Sequence, residues 1–414
     1  MVSFHYEKEI YMYNIDGNEI DSVELKCLLV SRGIQVKKEI YQRFSGKYRF
    51  DINPLTCNSI ILSDGTIVQM TDVSFHLKYL SGILSWNNIK LLKYASDLST
   101  PFSLQMMEDK LAVFYKEDFL DFVTLPPSSD FYKQKTTSGL PFLDNAVLQG
   151  VDWVSFQCLW PCEYAAAGSG CEFCFSGGDF ETLAKKKKPL PESVLPSDVV
   201  DIIDYAIKYD SVNSVQITGG STINYEKEHK YISEYLMAIN KKLGRDSIKG
   251  ELLLYITPPD NMNIIDEYFT NGASRIACSL ELWNLNLAKT VTPGKVNLST
   301  RERYLDALTY TAEKFGSGKA FSNFIIGIEP FESLKEGATY LAERGILPTA
   351  SIWMPMGRPV NGSMQAPEID YYRRVKEMYA ELYEKYGLEP ADCCGLNVCI
   401  EKDIWNYSRG KYGK

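Results

Sequence analysis

From residue 151 onward, strand-like and helix-like segments alternate six times along the chain. The strand-like runs are "VDWVSFQ" (151–157), "NSVQITGG", "GELLLYIT", "ASRIACSLELW", "FSNFIIGIE" and "PTASIWMP". They are short, nearly continuously apolar and bounded by Gly or Pro, as strands covered on both faces are. Between and after them stand "PSDVVDIIDYAIKYD", "HKYISEYLMAINKKLG", "PDNMNIIDEYFTNG", "TRERYLDALTYTAEKFG", "SLKEGATYLAERG" and "APEIDYYRRVKEMYAELYEKYG", with apolar residues at helical spacing. Ser197 reads as the N-cap of the first of these, and glycines close several of the others. Parallel strands need helical crossovers of this kind. Six units are too few for a closed eightfold barrel, so the pattern predicts an α/β fold: an open, partial (β/α)6 TIM-like barrel of parallel strands over 151–388. In the closed barrel, chemistry sits at the carboxyl ends of the strands, and the same is expected here.

Ahead of the barrel, residues 1–125 read as a small α+β domain whose role the sequence does not state. "CNSIILSDGTIVQMTDVSF" is strand, Asp-Gly turn, strand, while "EDKLAVFYKEDFLDFVTL" fits either strand or helix. Residues 126–150, rich in Pro, Ser, Thr and Gly, read as a linker, and 389–414 as a C-terminal extension. No apolar run is long enough to span a bilayer, and "MVSFHYEKEIYMYNIDG" lacks a signal-peptide core, so a soluble cytoplasmic protein with no membrane partner is expected. The net charge of −9 points away from nucleic acid, whose binding needs a basic excess. One local exception, Lys185 to Lys188, is either a solvated loop or a docking patch for an acidic electron donor.

The first strand runs into "FQCLWPCEYAAAGSGCEFCFSGG", which places Cys158, Cys162, Cys171 and Cys174 within seventeen positions. Ten cysteines in 414 residues are too sparse for a disulfide scaffold, and in a reducing cytoplasm clustered thiols bind metal more often than each other. Thiolates suit both zinc and iron–sulfur clusters. A four-thiolate zinc knot that stabilises a non-catalytic binding module fits the spacing. A three-cysteine set fits a cluster with one iron left open.

The segment "CEYAAAGSGCEFC", at the head of a six-unit barrel, resembles the cluster loop of the radical S-adenosylmethionine (radical SAM) superfamily. The commonest spacing there is C-x3-C-x2-C. Here it is C-x8-C-x2-C, an expanded first gap similar to that of elongator-type tRNA-modifying members. The resemblance covers roughly residues 150–390. It implies that Cys162, Cys171 and Cys174 bind a [4Fe-4S] cluster, with Cys158 as the alternative first ligand, and that S-adenosylmethionine (SAM) chelates the open iron. Reductive cleavage of SAM then gives a 5′-deoxyadenosyl radical that abstracts hydrogen from a small-molecule or peptide substrate, with oxygen excluded. Phe173 would pack on the adenine. Gly219, Gly220 and Ser221 stand where the family's glycine pair binds the SAM amino group. Glu281 calls for a polar partner such as a ribose or amino group, since a buried carboxylate left unpaired is costly. Gly327 and Glu329 fall in a segment near the adenine, and Arg358 suits a carboxylate. A flavodoxin- or ferredoxin-type donor is the implied electron source, with Lys185–Lys188 as its docking point.

RNA modification and methyl transfer are alternative activities within the same superfamily. "ADCCGLNVC" offers Cys393, Cys394 and Cys399 as ligands of a second iron–sulfur cluster, with Cys394 or Cys399 as catalytic thiols, or as small buried apolar residues. No dinucleotide-binding or standard cobalamin-binding motif is present, and none of His5, His76 and His229 accompanies a nucleophile motif.

Overall fold

Residues 11–44, 59–70, 100–126, 130–143, 145–159, 162–174, 194–354 and 366–410 are described by the computed structural model. The N-terminal region is built from short antiparallel pairs. β1 (Tyr13–Ile15) pairs with β2 (Asn18–Ile20), and β4 (Ser59–Ile61) with β5 (Ile67–Gln69) across the Asp64-Gly65 turn. The segment open to either reading is a hairpin: β6 (Phe102–Met107), β7 (Lys110–Tyr115) and β8 (Asp118–Val123) pair in sequence, and β3 (Gln35–Val36) joins β6 in parallel. Leu111, Val113 and Tyr115 share one buried face, as the period of two requires, and the small Ala112 on the other face is buried as well.

β9 (Val147–Gln149), β10 (Trp153–Leu159), β11 (Ser214–Gly219), β12 (Leu252–Tyr255), β13 (Arg275–Ala277), β14 (Ala320–Ile326) and β15 (Leu347–Ile352) form one sheet, in reverse chain order from β15 to β9. β10 to β15 are mutually parallel, and β9 adds an antiparallel edge. This is the partial (β/α)6 barrel that the six repeats predict. Register sorts the side chains into two sets. Val215, Ile217, Leu252, Leu254, Ile276, Phe324 and Ala350 lie fully within the core under the helices. The alternate set mixes polar groups, Gln216, Tyr255, Asn323, Thr349 and Ser351, with the apolar Leu253, Ala277, Phe321 and Ile325 on the barrel's inner face.

One expectation from the sequence is corrected, and two stretches make contacts that their composition does not announce. Ser197 does not cap the helix Pro196–Tyr209; Leu195 precedes it and Pro196 opens it, where the missing N–H costs nothing. The described part of 126–150 carries two aromatic anchors. Phe131 and Phe142 are buried with ring centroids 5.0 Å apart, Phe142 meets Tyr205, and the Thr137 amide donates to Asp201 at 2.6 Å. Turn-forming composition hid these two aromatic anchors. The described part of 389–414 likewise makes contact with the barrel. The Ile352 amide donates to the Val398 carbonyl and the Ile400 amide to Ala350, so 398–400 pair antiparallel with the outer edge of β15.

The N-terminal region is fastened to that closing segment. The helix Ser22–Arg32 opens with a capping box between Asp21 and Glu24, and both carboxylates also receive the Lys376 ammonium. Lys26, fully buried on the same helix, donates to the carbonyls of Leu396 (2.5 Å) and Cys399 (2.8 Å) and to Asp403 (2.7 Å). A buried ammonium is tolerated only when its protons are used in this way. Among the described residues no helix is long and apolar enough to cross a membrane.

Candidate active site

The cysteine loop lies at the carboxyl end of β10, against the turn that ends β11. The contact is so close that it depends on glycine. A Cβ on Gly220 would overlap the Cα of Cys162 and stand 2.7 Å from its nitrogen. The Glu163 amide donates to the Ser221 carbonyl at 2.9 Å, and the Cys162 thiol lies 3.8 Å from that same oxygen. Glu163 then fixes the turn from its other side. Its carboxylate accepts from the amides of Ile223 (2.7 Å) and Asn224 (3.2 Å), the Thr222 hydroxyl (2.8 Å) and the Lys227 ammonium (3.1 Å). Partial burial would raise its pKa, but these donors outweigh that and hold it below the usual carboxylate range.

A second glycine seats the far side of the loop. After Cys162 the chain makes a short helical turn, Glu163–Ala166, and the Tyr164 hydroxyl bonds Ser299. A Cβ on Gly294 would fall 2.5 Å from the Tyr164 ring and 2.6 Å from the Ser169 carbonyl, which the Gly294 amide bonds at 2.9 Å. The Glu172 amide donates to Val291, and Phe173 packs on the small cluster of Leu282, Ala288 and Val291. Phe173 is therefore a wedge between loop and barrel as well as a candidate for adenine contact.

Cys162, Cys171 and Cys174 share this end of the barrel. Burial pushes the Cys171 thiol well above its ordinary pKa; the Lys295 charge opposes this, while Cys174, Glu281 and Cys162 add to it. Cys158 is placed differently. It is 1% exposed within the main core, on the helix-facing side of β10, where it acts on Tyr235 and Tyr268. Among the described residues no three His, Cys, Asp or Glu side chains are arranged around a point that could hold a single metal ion. One zinc would need its sulfurs roughly 3.8 Å apart, given Zn–S bonds of 2.3 Å. A cluster takes each thiolate on a separate iron and so does not need three sulfurs around one point.

Glu281 and Lys295 form the site's charged centre. Glu281 Oε1 meets the Lys295 ammonium at 2.9 Å, and its Oε2 accepts from the Asn323 amide group at 3.2 Å. Lys295 also donates to the Ser279 carbonyl at 2.5 Å. The polar partner that the sequence demanded of Glu281 is thus supplied by the chain itself. Glu281 has φ +67°, a left-handed conformation costing on the order of 1–3 kcal/mol outside glycine, and it is held there by bridging to β14. From Asn323 the polar contacts continue to Ser351 (2.9 Å) and on to the Cys399 thiol (3.2 Å).

The remaining sequence candidates divide. Gly219, Gly220 and Ser221 stand together at the cysteine loop. Gly327 has φ +103°, with its amide donating to the Tyr371 hydroxyl. Glu329 spends its carboxylate on the amides of Trp283 and Asn284, and burial raises its pKa. It organises the turn after β13 from beneath. Cys393, Cys394 and Cys399 turn to different partners: Trp153, Asp152 and Ser351. Arg358 and Lys185–Lys188 lie outside the described residues. Sequence reasoning missed Lys295 and Glu163. Glu163 follows a loop cysteine directly, a signal that was available; nothing local marked Lys295.

An open half-barrel with three cysteines at the carboxyl ends of its strands is the architecture this chain defines. No family model matches it. In sequence it is similar to the bacteriochlorophyllide c C-7(1)-hydroxylase of Chlorobaculum limnaeum, at 24% identity over 264 residues, 61% of this chain. The match spans 65% of that relative's length. In structure it is similar to coproporphyrinogen III oxidase (HemN) from Escherichia coli, a radical SAM enzyme, with TM-score 0.35, 14% identity, and coverage of 57% of this chain and 53% of that one. A radical SAM methyltransferase from Sphaerobacter thermophilus aligns at TM-score 0.38 and 13% identity over 77% and 88% of the two chains. TsrM from Kitasatospora setae, solved with cobalamin and a [4Fe-4S] cluster, aligns at TM-score 0.34 and 12% identity over 65% and 51%.

Proposed function

We propose that this chain is a radical SAM enzyme in which Cys162, Cys171 and Cys174 hold a [4Fe-4S] cluster and the half-barrel's inner face receives a small organic substrate. The observation that carries this reading is the seating of the cysteine loop. Glycines at 220 and 294 let it press against both neighbouring turns, with three thiols at the carboxyl ends of the strands and Cys158 buried on the other side of β10. Bound there together with SAM, such a cluster would supply the one-electron reduction of the sulfonium from which a hydrogen-abstracting radical chemistry follows.

The chain's own residues do the rest. Glu163 and Ser221 fix the first cysteine, and Phe173 fixes the third through its packing. The strand-end backbone at Gly219–Ser221 stands beside Cys162, where polar groups of SAM would be bound. Tyr255, Asn323 and Ser351 give the inner face hydroxyl and amide groups for a substrate bearing oxygen or nitrogen functions. The similar hydroxylase acts, by its name, on a bacteriochlorophyllide, which favours a small molecule over a peptide. The electron comes from a flavodoxin- or ferredoxin-type protein, and the setting is the cytoplasm.

Protein reconstituted without oxygen should be brown and carry about four irons per chain, and should release 5′-deoxyadenosine from SAM with dithionite. Cys162→Ala and Cys174→Ala should each lose colour and product, whereas Cys158→Ala should retain both. A colourless wild type with one zinc would defeat the reading.

A further inference from the structure

Lys295 belongs to no motif, yet it is placed with unusual care. It follows Gly294, the residue pressed against Tyr164 and Ser169 of the cysteine loop, so loop and lysine are held by one turn. Its ammonium is nearly buried and aimed inward by the Ser279 carbonyl and Glu281, and it lies 5.5 Å from the Tyr304 ring centroid. The Gly294 amide bonds the Ser169 carbonyl and the Val291 carbonyl accepts from the Glu172 amide, so the turn that carries Lys295 clasps the loop on both sides of Cys171. The pair is neutral as a whole, and its two members bear on the Cys171 thiol with opposite sign.

We infer that Lys295 is a positioning residue that sets the reduction potential of the metal centre held by Cys162, Cys171 and Cys174, with Glu281 as its counterweight. This rests on the reading of those cysteines as cluster ligands. A nearby cation favours the reduced, more negative state of a thiolate-ligated centre, and nearly buried charges are little screened by salt. Lys295 therefore makes the centre easier to reduce, and Glu281 limits that effect. Asn323 holds the second oxygen of Glu281 and so keeps the pair's orientation.

The test is the midpoint potential of the reconstituted full-length protein, followed by electron paramagnetic resonance in a redox titration without SAM, alongside iron content. Lys295→Met should move the midpoint down, Lys295→Arg should leave it near wild type, and Glu281→Gln should move it up. Opposite signs for the two neutralising variants are the signature, because damaged packing alone would not invert. If Lys295→Met fails to take up iron, Glu281→Gln still decides. An unchanged or lowered midpoint in Glu281→Gln overturns the assignment while leaving the cluster reading intact. A wild type that takes up no iron overturns both.

Discussion

Two groups of three cysteines sit at opposite ends of the barrel domain's sequence, and the molecule treats them differently. Around Cys162, Cys171 and Cys174 the neighbouring backbone approaches so closely that only glycine is accommodated at 220 and 294. Around Cys393, Cys394 and Cys399 it is the main chain that works: the Cys394 amide bonds Asp152, the Cys399 carbonyl takes the Lys26 ammonium, and 398–400 pair with β15. The first group presents side chains, while the second builds a wall. Cysteine spacing does not tell the two apart, since both look dense in the sequence. What separates them is whether the surroundings are shaped to hold the thiols or the backbone.

The comparison is broken most severely by filling the space beside Cys162. Gly220→Ala should displace the loop and cut SAM cleavage by roughly a hundredfold, the scale expected of a 1 Å misplacement, while the folded fraction by circular dichroism stays near wild type. Full activity in that variant would mean the close approach is incidental. On the wall side, Lys26→Met removes the ammonium that donates to Asp403 and to two carbonyls. A loss of about 3–5 kcal/mol in urea unfolding is expected, the cost of breaking a buried ion pair from one side.

A smaller effect sharpens the contrast through pH. Burial raises Glu228, whose Oε1 accepts from the Thr257 amide, to about 8. Because the folded form holds a proton that the unfolded form releases near the ordinary value, its contribution to stability is full below that value and is lost as pH rises through about 8. Glu228→Gln should therefore raise the melting temperature above pH 8 by roughly 2–4 °C and leave it unchanged near pH 4. Equal shifts at both pH values would sink that account. Smallest of all, Cys394→Ser, at an exposed thiol, should change stability by no more than about 0.5 kcal/mol and leave iron content at the wild-type level.

The barrel was legible because strands covered on both faces must be apolar, and Leu252–Tyr255 or Ala320–Ile326 can be little else. The location of the cysteine loop followed from chain order alone. Glu281 stood out as a carboxylate inside an apolar run, and its need for a partner could be stated without knowing the partner. Lys295 could not be found in that way, because its meaning lies in a turn that meets the cysteine loop only in three dimensions. The docking of the N-terminal helix was hidden for a similar reason: Lys26 reads as a solvated helical lysine until the carbonyls of Leu396 and Cys399 are set against it. Phe131 and Phe142 were concealed by the Ser, Thr and Pro around them.

The bond between Lys26 and Asp403 spans 377 positions of the chain. At 5–20 residues per second, a ribosome takes roughly 20–75 s to make the second partner after the first. Throughout that interval the ammonium has only water to bind, and the helix that carries it has no wall to rest on. The edge of β15 stays open from the time that strand is made until residues 398–400 follow it. The stretch 396–403 therefore completes three things together: it pairs with β15, neutralises the lysine and docks the helix Ser22–Arg32. A nascent chain stalled before that stretch would keep its parallel strands but present a bare sheet edge, the form most exposed to capture by another copy.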